Sequence, residues 1–329
     1  MSGPGLSFES AGFCDLQVNG FAGVDFNDSA TPVERLDAAA ARMRATGVTR
    51  FLPTIVTSST DHFAACARLL TRWKNPASAG IHMEGPYISP VDGPRGAHPR
   101  EHTSAASIDD FDRRQAAAEG RIVLLTLAPE VDGAFRLIEH AVARGVRVAI
   151  GHSDASPSQV RDAVAAGATL STHLGNGSRN VMARHPNLIW EQLAADELHA
   201  CFIVDGHHLP PSTFKAMLKA KGVARSVLVT DAVAPAGCRP GPYRIGDIDV
   251  ELHPEGNVTL SGSTRLAGAA LTLDVAVANA VRFAGISFDD ALAMASTVPA
   301  RYLGIETSGR LRVSWDPGSG RVSVDEVTH

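Results

Sequence analysis

Four residues that can hold a cation or move a proton each stand at the end of an apolar, strand-like run. Glu84 closes GIHMEG, His152 lies in VRVAIGHS, His173 in TLSTHLGN and Asp231 in SVLVTDA. Imidazole nitrogens and carboxylate oxygens are the usual ligands of zinc and similar divalent ions. Glu84, His152 and His173 make a set of three protein ligands, which leaves one coordination position open for water, as catalytic sites do. Asp231 differs in kind. A carboxylate beside an activated water can take its proton and later protonate a leaving group. Taken singly, each residue has a plainer role: structural hydrogen bonding for a histidine, capping of the next segment for the aspartate. Together they span nearly half the chain, so local spacing cannot join them. They meet only if their strands run parallel and end at one place.

The rest of the chain supplies such strands. Eight short apolar runs recur, mostly with helical segments between them. They are GFCDLQVN (12–19), VTRFLPTIV (48–56), GIHMEG (80–85), IVLLTLAPE (122–130), VRVAIGHS (146–153), TLSTHLGN (169–176), HACFIVDG (199–206) and SVLVTDA (226–232). Runs of this length, rich in Val, Ile and Leu, suit strands buried on both faces. Thr31-Pro32 and Ser156-Pro157 read as helix N-caps followed by proline at the first helical position. Gly47, Gly145, Gly167 and Gly222 sit where a helix ends before the next strand. The pattern predicts an α/β fold, a (β/α)8 TIM-like barrel, with the four residues at C-terminal strand ends, where catalytic groups of such barrels stand. A doubly wound open sheet is the alternative, but QVNGFAGVDF after the first run is not a G-x-G-x-x-G turn.

Residues 12–303 are expected to form the barrel. A β-hairpin is expected as an insertion near 237–262, followed by a last barrel helix over LAGAALTLDVAVANAVRFAG and a second helix over FDDALAMASTVPARYLG. Residues 1–11 and 304–329 are expected to form a small accessory β region.

Bulk properties narrow the function classes. Hydrophobic residues make up 44% and charged residues 20% of 329, as in ordinary globular proteins. A net charge of −5 gives no basic surface for nucleic acid or an anionic membrane. No apolar stretch approaches the roughly 20 residues needed to span a bilayer. MSGPGLSFESAGF lacks the basic and apolar regions of a signal peptide, so a cytoplasmic location is expected. Cys14, Cys66, Cys201 and Cys238 are far apart and form no C-x-x-C pair, which argues against both a disulfide framework and a structural zinc ribbon.

At these motifs the chain resembles the N-acetylglucosamine-6-phosphate deacetylases of the amidohydrolase superfamily. The matching segments are DLQVNGFAGVDFND, LPTIVTS, GIHMEGPYISP, RGAHP, TLAPE, AIGHSDA, STHLGNG, DGHH, LVTDAVAPAG and RLAGAALTLD. By that resemblance Glu84, His152 and His173 are metal ligands and Asp231 is the catalytic acid/base. His98 helps polarise the acetyl carbonyl, and Ala97 lies along the sugar. Asn176 and Gly177 hold the substrate, Arg184 and His208 meet its phosphate, and Leu266, Ala267 and Gly268 close over it. A homodimer and a small amino sugar substrate are implied as well.

Where many amidohydrolases carry H-x-H on the first strand, this chain has Gln17-Val18-Asn19. Amides are poor ligands beside imidazole, so one divalent ion per subunit is expected, zinc first, with Fe2+ or another divalent ion as alternatives. Two departures from the family bear on the pocket and the accessory region. About a dozen residues precede the first strand where the family has a few tens, so the accessory sandwich is expected to be reduced. Asn176-Gly177-Ser178 stands for the usual N-A-M, and the RGAHP loop is two residues longer. An unphosphorylated N-acetyl amino sugar or an N-acyl amino acid is therefore a second substrate reading, and a ligand-binding barrel without catalysis a third.

Overall fold

The computed structural model describes residues 6–246 and 248–328. In chain order the strands are β1 (Leu6–Ala11), β2 (Phe13–Val18), β3 (Gly20–Phe21), β4 (Val24–Asp25), β5 (Val48–Val56), β6 (Ile81–Glu84), β7 (Ile122–Leu127), β8 (Arg147–Ile150), β9 (Leu170–Ser171), β10 (His199–Phe202), β11 (Ser226–Leu228), β12 (Gly241–Ile245), β13 (Ile248–Leu252), β14 (Asn257–Leu260), β15 (Leu266–Ala269), β16 (Arg310–Asp316) and β17 (Arg321–Thr328). Among the described residues, eight of these form one parallel sheet in the order β11-β10-β9-β8-β7-β6-β5-β2. Its edges meet just beyond the strand ends: Val18 pairs in parallel with Ala232, and the Asp231 amide donates to the Gln17 carbonyl at 3.0 Å. The sheet is thus a nearly closed barrel, as the alternating runs predict. Closure falls between the first and last barrel strands, so Gln17 and Asp231 become neighbours.

These residues make buried strands because helices cover the outer face and packed side chains fill the interior. Every residue of β2 and β6 is buried. The helices between strands begin as their sequences dictate. Ser156 and Gln159 form a reciprocal capping box on the helix Pro157–Ala165, and Ser59 accepts from the His62 amide ahead of Thr60–Arg72. Thr31-Pro32 departs from expectation: the helix starts at Val33, and Pro32 is itself the extended cap residue, without a side-chain bond.

Beyond β11 the structure corrects the expected layout. Instead of one hairpin there is a four-stranded antiparallel sheet, β12-β13-β14-β15. Leu266–Ala269, expected to open a helix, is its last strand, and the helix starts only at Leu273. The apolar character of LAGAALTL suited either state; pairing with the barrel rim decides it. Ala232 pairs with Ala269, and Gly268 permits this contact, because a Cβ there would lie 2.3 Å from a Val233 methyl. The second expected helix is divided at Ser296 into Phe288–Ala295 and Thr297–Leu303. Elsewhere β1, β16 and β17 form a separate three-stranded antiparallel sheet, seated on the core through Trp315 stacked on Phe288. Among the described residues no helix is long and apolar enough to cross a membrane.

Candidate metal centre and active site

Glu84 is the last residue of β6, and His152, His173 and Asp231 follow β8, β9 and β11 by two or three residues. Parallel strands therefore deliver all four to one rim. Glu84 Oε1 lies 3.2 Å from His152 Nε2 and 3.2 Å from His173 Nε2, and the two nitrogens are 3.1 Å apart. Ligands about 2.0–2.1 Å from a tetrahedral ion are separated by roughly 3.3 Å. The three donor atoms therefore already stand at the spacing of one face of such a coordination shell. The His152 ring is oriented by Nδ1–H, which donates to the Pro94 carbonyl at 2.9 Å and leaves Nε2 turned to the cluster. This is the outer support that metal-ligating imidazoles use. The His173 Nδ1 has no hydrogen-bond partner among the described residues.

His98 also approaches: its Nε2 is 3.2 Å from His152 Nε2, and ligand atoms of Glu84, His98 and His152 lie within 4.8 Å of one another. Two triads thus share Glu84 and His152. The His173 set is the tighter, since His98 Nε2 stands 3.9 Å from its nearer Glu84 oxygen against 3.2 Å for His173. His98 also comes from a loop, where its Nδ1 pairs with Thr57 Oγ1 at 2.8 Å.

The backbone carries strain at the same places. His152, His173 and Asp231 have φ of 51°, 28° and 49°, and they are three of the five non-glycine residues with positive φ among those described. Such conformations cost on the order of 1–3 kcal/mol each and concentrate at functional sites. They turn each side chain inward from the strand end.

The site's ionisation follows its burial and mutual contacts. Burial alone raises the Glu84 carboxyl, but hydrogen bonds from His152 and His173 outweigh it and hold Glu84 well below the usual carboxylate range. Burial lowers His152, and the Glu84 bond overcomes this and leaves it raised. His98 is pushed down to about 3 by burial and by the neighbouring His152 charge, so it is neutral. Asp231 is raised to about 6 by burial and by the Glu84 charge.

Gln17 and Asn19 enter the site as donors. Gln17 Nε2 donates to Glu84 Oε1 at 2.8 Å and to Asp231 Oδ1 at 3.0 Å, and Asn19 Nδ2 donates to the same Oδ1 at 2.6 Å. Below them Asp15, fully buried, accepts from the Thr230 amide and hydroxyl and from the Gln17 amide. Deeper in the barrel His82 joins Thr126 at 2.7 Å, and Thr126 joins Thr172 at 2.7 Å. Glu130 receives the Ser153 hydroxyl and the Asp154 amide, which fixes the turn after His152. Asp15, His82, Thr57 and Glu130 are not among the candidates that the sequence offers. Their one signal is a polar residue inside or just past a run otherwise too apolar to tolerate one.

The remaining candidates stand in varied local settings. Gly177 packs on His152, where a Cβ would meet the ring at 3.0 Å, and its carbonyl accepts from Ser153. Asn176 is folded back on the His173 carbonyl. Ala97 is half-buried beside His98, and the preceding Gly96 carbonyl accepts from Arg265, next to Leu266. Leu266, Ala267 and Gly268 lie on β15, whose Ala269 amide donates to the Asp231 carbonyl. His208 Nδ1–H donates to Asp205 at 2.6 Å, which frees its Nε2 for another acceptor. Arg184 lies on an exposed segment, and its carbonyl accepts from the Trp190 indole.

The amidohydrolase family model matches residues 10–317. The chain belongs to the amidohydrolase family. This amidohydrolase is 36% identical over 300 residues to an N-acetylgalactosamine-6-phosphate deacetylase of Escherichia coli O157:H7, covering 89% of the chain and 78% of the relative. It is 31% identical to the N-acetylglucosamine-6-phosphate deacetylase of Bacillus subtilis, covering 95% and 80%. A Mycobacterium smegmatis N-acetyl-D-glucosamine-6-phosphate deacetylase mutant, solved in complex with N-acetyl-D-glucosamine-6-phosphate, superposes with a TM-score of 0.89 at 29% identity, covering 98% and 86%.

Proposed function

We propose that this amidohydrolase hydrolyses the acetamide of N-acetylglucosamine 6-phosphate, giving glucosamine 6-phosphate and acetate. The observation that carries the reading is the convergence of Glu84 Oε1, His152 Nε2 and His173 Nε2 within 3.2 Å of one another, with Asp231 tied to the same carboxylate through Gln17. The relatives named for this activity, and the neighbour solved with this sugar phosphate, supply the substrate class.

In this reading Glu84, His152 and His173 hold one divalent ion, with zinc the first expectation. Such an ion supplies Lewis acidity toward a carbonyl oxygen and lowers the pKa of water. The protein's own groups do the rest. Asp231 accepts the proton of the attacking water as the new C–O bond forms at the acetyl carbon. It then passes the proton to the amide nitrogen as the C–N bond breaks, so acetate leaves and the amine is released. His98 faces the acetyl oxygen from the loop side. Ala97, Asn176, Gly177 and the β15 residues Leu266–Gly268 shape the walls around the sugar, and Arg184 with His208 receives the phosphate.

An acetate-release screen tests the reading. Turnover is expected with the 6-phosphate and weak or absent with free N-acetylglucosamine; the reverse preference overturns it. N-acetylgalactosamine 6-phosphate, the 4-epimer, is the second reading, favoured by the E. coli O157:H7 relative, and is a further arm of the screen.

We further propose a homodimer in the cytoplasm. Val181 and Trp190, 84% and 57% exposed beside Arg184, are apolar groups that a second copy would cover. Light scattering giving a concentration-independent monomer mass refutes the dimer.

A further inference from the structure

We infer that Gln17 and Asn19 are positioning residues that clamp Asp231 by one oxygen, Oδ1, so that Oδ2 alone is the atom that exchanges protons with water and substrate. The inference rests on the proposed role of Asp231 as the base. Three observations carry it. Both amide nitrogens donate to the same atom, at 3.0 and 2.6 Å. Gln17 is anchored a second time, through Glu84 Oε1 at 2.8 Å. The end of β2 and the residue after it, which carry the two amides, are locked to the Asp231 segment by the backbone bonds Asp231 N to Gln17 O and Asn19 N to Ala232 O, at 3.0 and 2.7 Å. The segment Gln17–Asn19 thus holds Asp231 at both its backbone amide and its side chain.

A carboxylate at φ 49°, next to the negative Glu84, has electrostatic reason to swing away. Two N–H dipoles aimed at Oδ1 oppose that motion and compensate part of the carboxylate's charge on that side. They cannot move a proton themselves, so the work falls to the unclamped oxygen.

The test compares Asn19→Asp with Asn19→Ala. Aspartate has the shape of asparagine but places an acceptor where the donor was. If Asn19 only fills space, Asn19→Asp behaves like the wild type and Asn19→Ala is the worse variant. If it clamps, Asn19→Asp is the worse of the two. Misorienting a reacting group by about 1 Å costs on the order of 10²-fold. The expected loss in kcat is of that order for Asn19→Ala and larger for Asn19→Asp, with KM and bound metal per chain little changed. Should Asn19→Asp fail to fold, Gln17→Glu and Gln17→Met give the same comparison, and the glutamate variant is again expected to be the slower. Wild-type kcat in Asn19→Asp, or in its stead Gln17→Glu, or a loss confined to KM, overturns the clamp. Asp231→Asn in the same series separates the two ideas. If it keeps turnover, the base assignment itself is wrong; if it is inactive while the amide variants are normal, only the clamp is.

Discussion

Replacing Asp231 with asparagine tests the chemistry with little disturbance of the structure. The substituted side chain keeps a carbonyl oxygen able to accept from Gln17 Nε2 and Asn19 Nδ2, so both existing hydrogen bonds, at 3.0 and 2.6 Å, can persist. What disappears is the second oxygen, replaced by an NH2 group that cannot take a proton. General acid–base catalysis contributes about 10²–10⁴-fold, or roughly 3–5 kcal/mol of barrier. Acetate release at saturating substrate should fall by that factor while metal content stays at the wild-type level. Folding should not suffer. The Asp231 carboxyl is raised to about 6, first by burial and then by Glu84, above the roughly 3.9 of an unfolded chain. A raised acid is fully compatible with the fold below its unfolded value and costs stability as pH rises through its folded one. Near neutral pH the metal-free Asp231→Asn protein should therefore unfold no more easily than the wild type. Near-normal kcat with metal bound would refute the assignment, and loss of metal together with activity would make Asp231 a structural residue.

Three other outcomes follow from the same geometry. Metal analysis should find one tightly held divalent ion per chain, because Gln17 and Asn19 spend their amide nitrogens on carboxylates; two ions would contradict this. Arg184→Ala should lower kcat/KM for the 6-phosphate by about ten- to a hundredfold, and activity on the unphosphorylated sugar should barely change; equal losses on both would remove the phosphate role. Asp15 has its carboxyl raised to about 7 by burial, so its contribution is intact below the unfolded value and lost as pH rises through 7. Relative to Asp15→Asn, the wild type should lose as much as roughly 4 kcal/mol between pH 4 and 8 in urea unfolding, and a pH-independent difference would show that Asp15 ionises normally.

The barrel was legible because its strands are buried on both faces and so read as unbroken apolar runs. The eight runs match β2 and β5 to β11, each overrunning its strand by at most a few residues except at β9, where TLSTHLGN yields only Leu170–Ser171. There the chain leaves the ladder early so that His173 can adopt its left-handed turn. That is a local sacrifice of pairing for position, and no periodicity reveals it. The sheet β12–β15 was harder for the opposite reason. Its register is set by contact with the rim at Ala232, and LAGAALTL carries no alternation to separate strand from helix. Arg184 is offered by the family resemblance alone, outside the matching segments; its side chain lies on an exposed segment, so sequence position could not say what it would touch.

The same contrast explains why the ligands were easier to find than their supports. A histidine at the end of an apolar run is conspicuous, because burial of an unpaired imidazole is costly and its presence demands a reason. Pro94, Gly177 and Glu130 act through a carbonyl, a missing Cβ and a pair of accepted hydrogen bonds. Those roles exist only once distant segments have met. Gln17 and Asn19 stand between the two cases. In the sequence they are the absence of imidazoles, which argues against a second ion. In the fold they are donors to Glu84 and Asp231, which turns that absence into a function: the barrel closes with amide dipoles at the point where its two carboxylates approach each other.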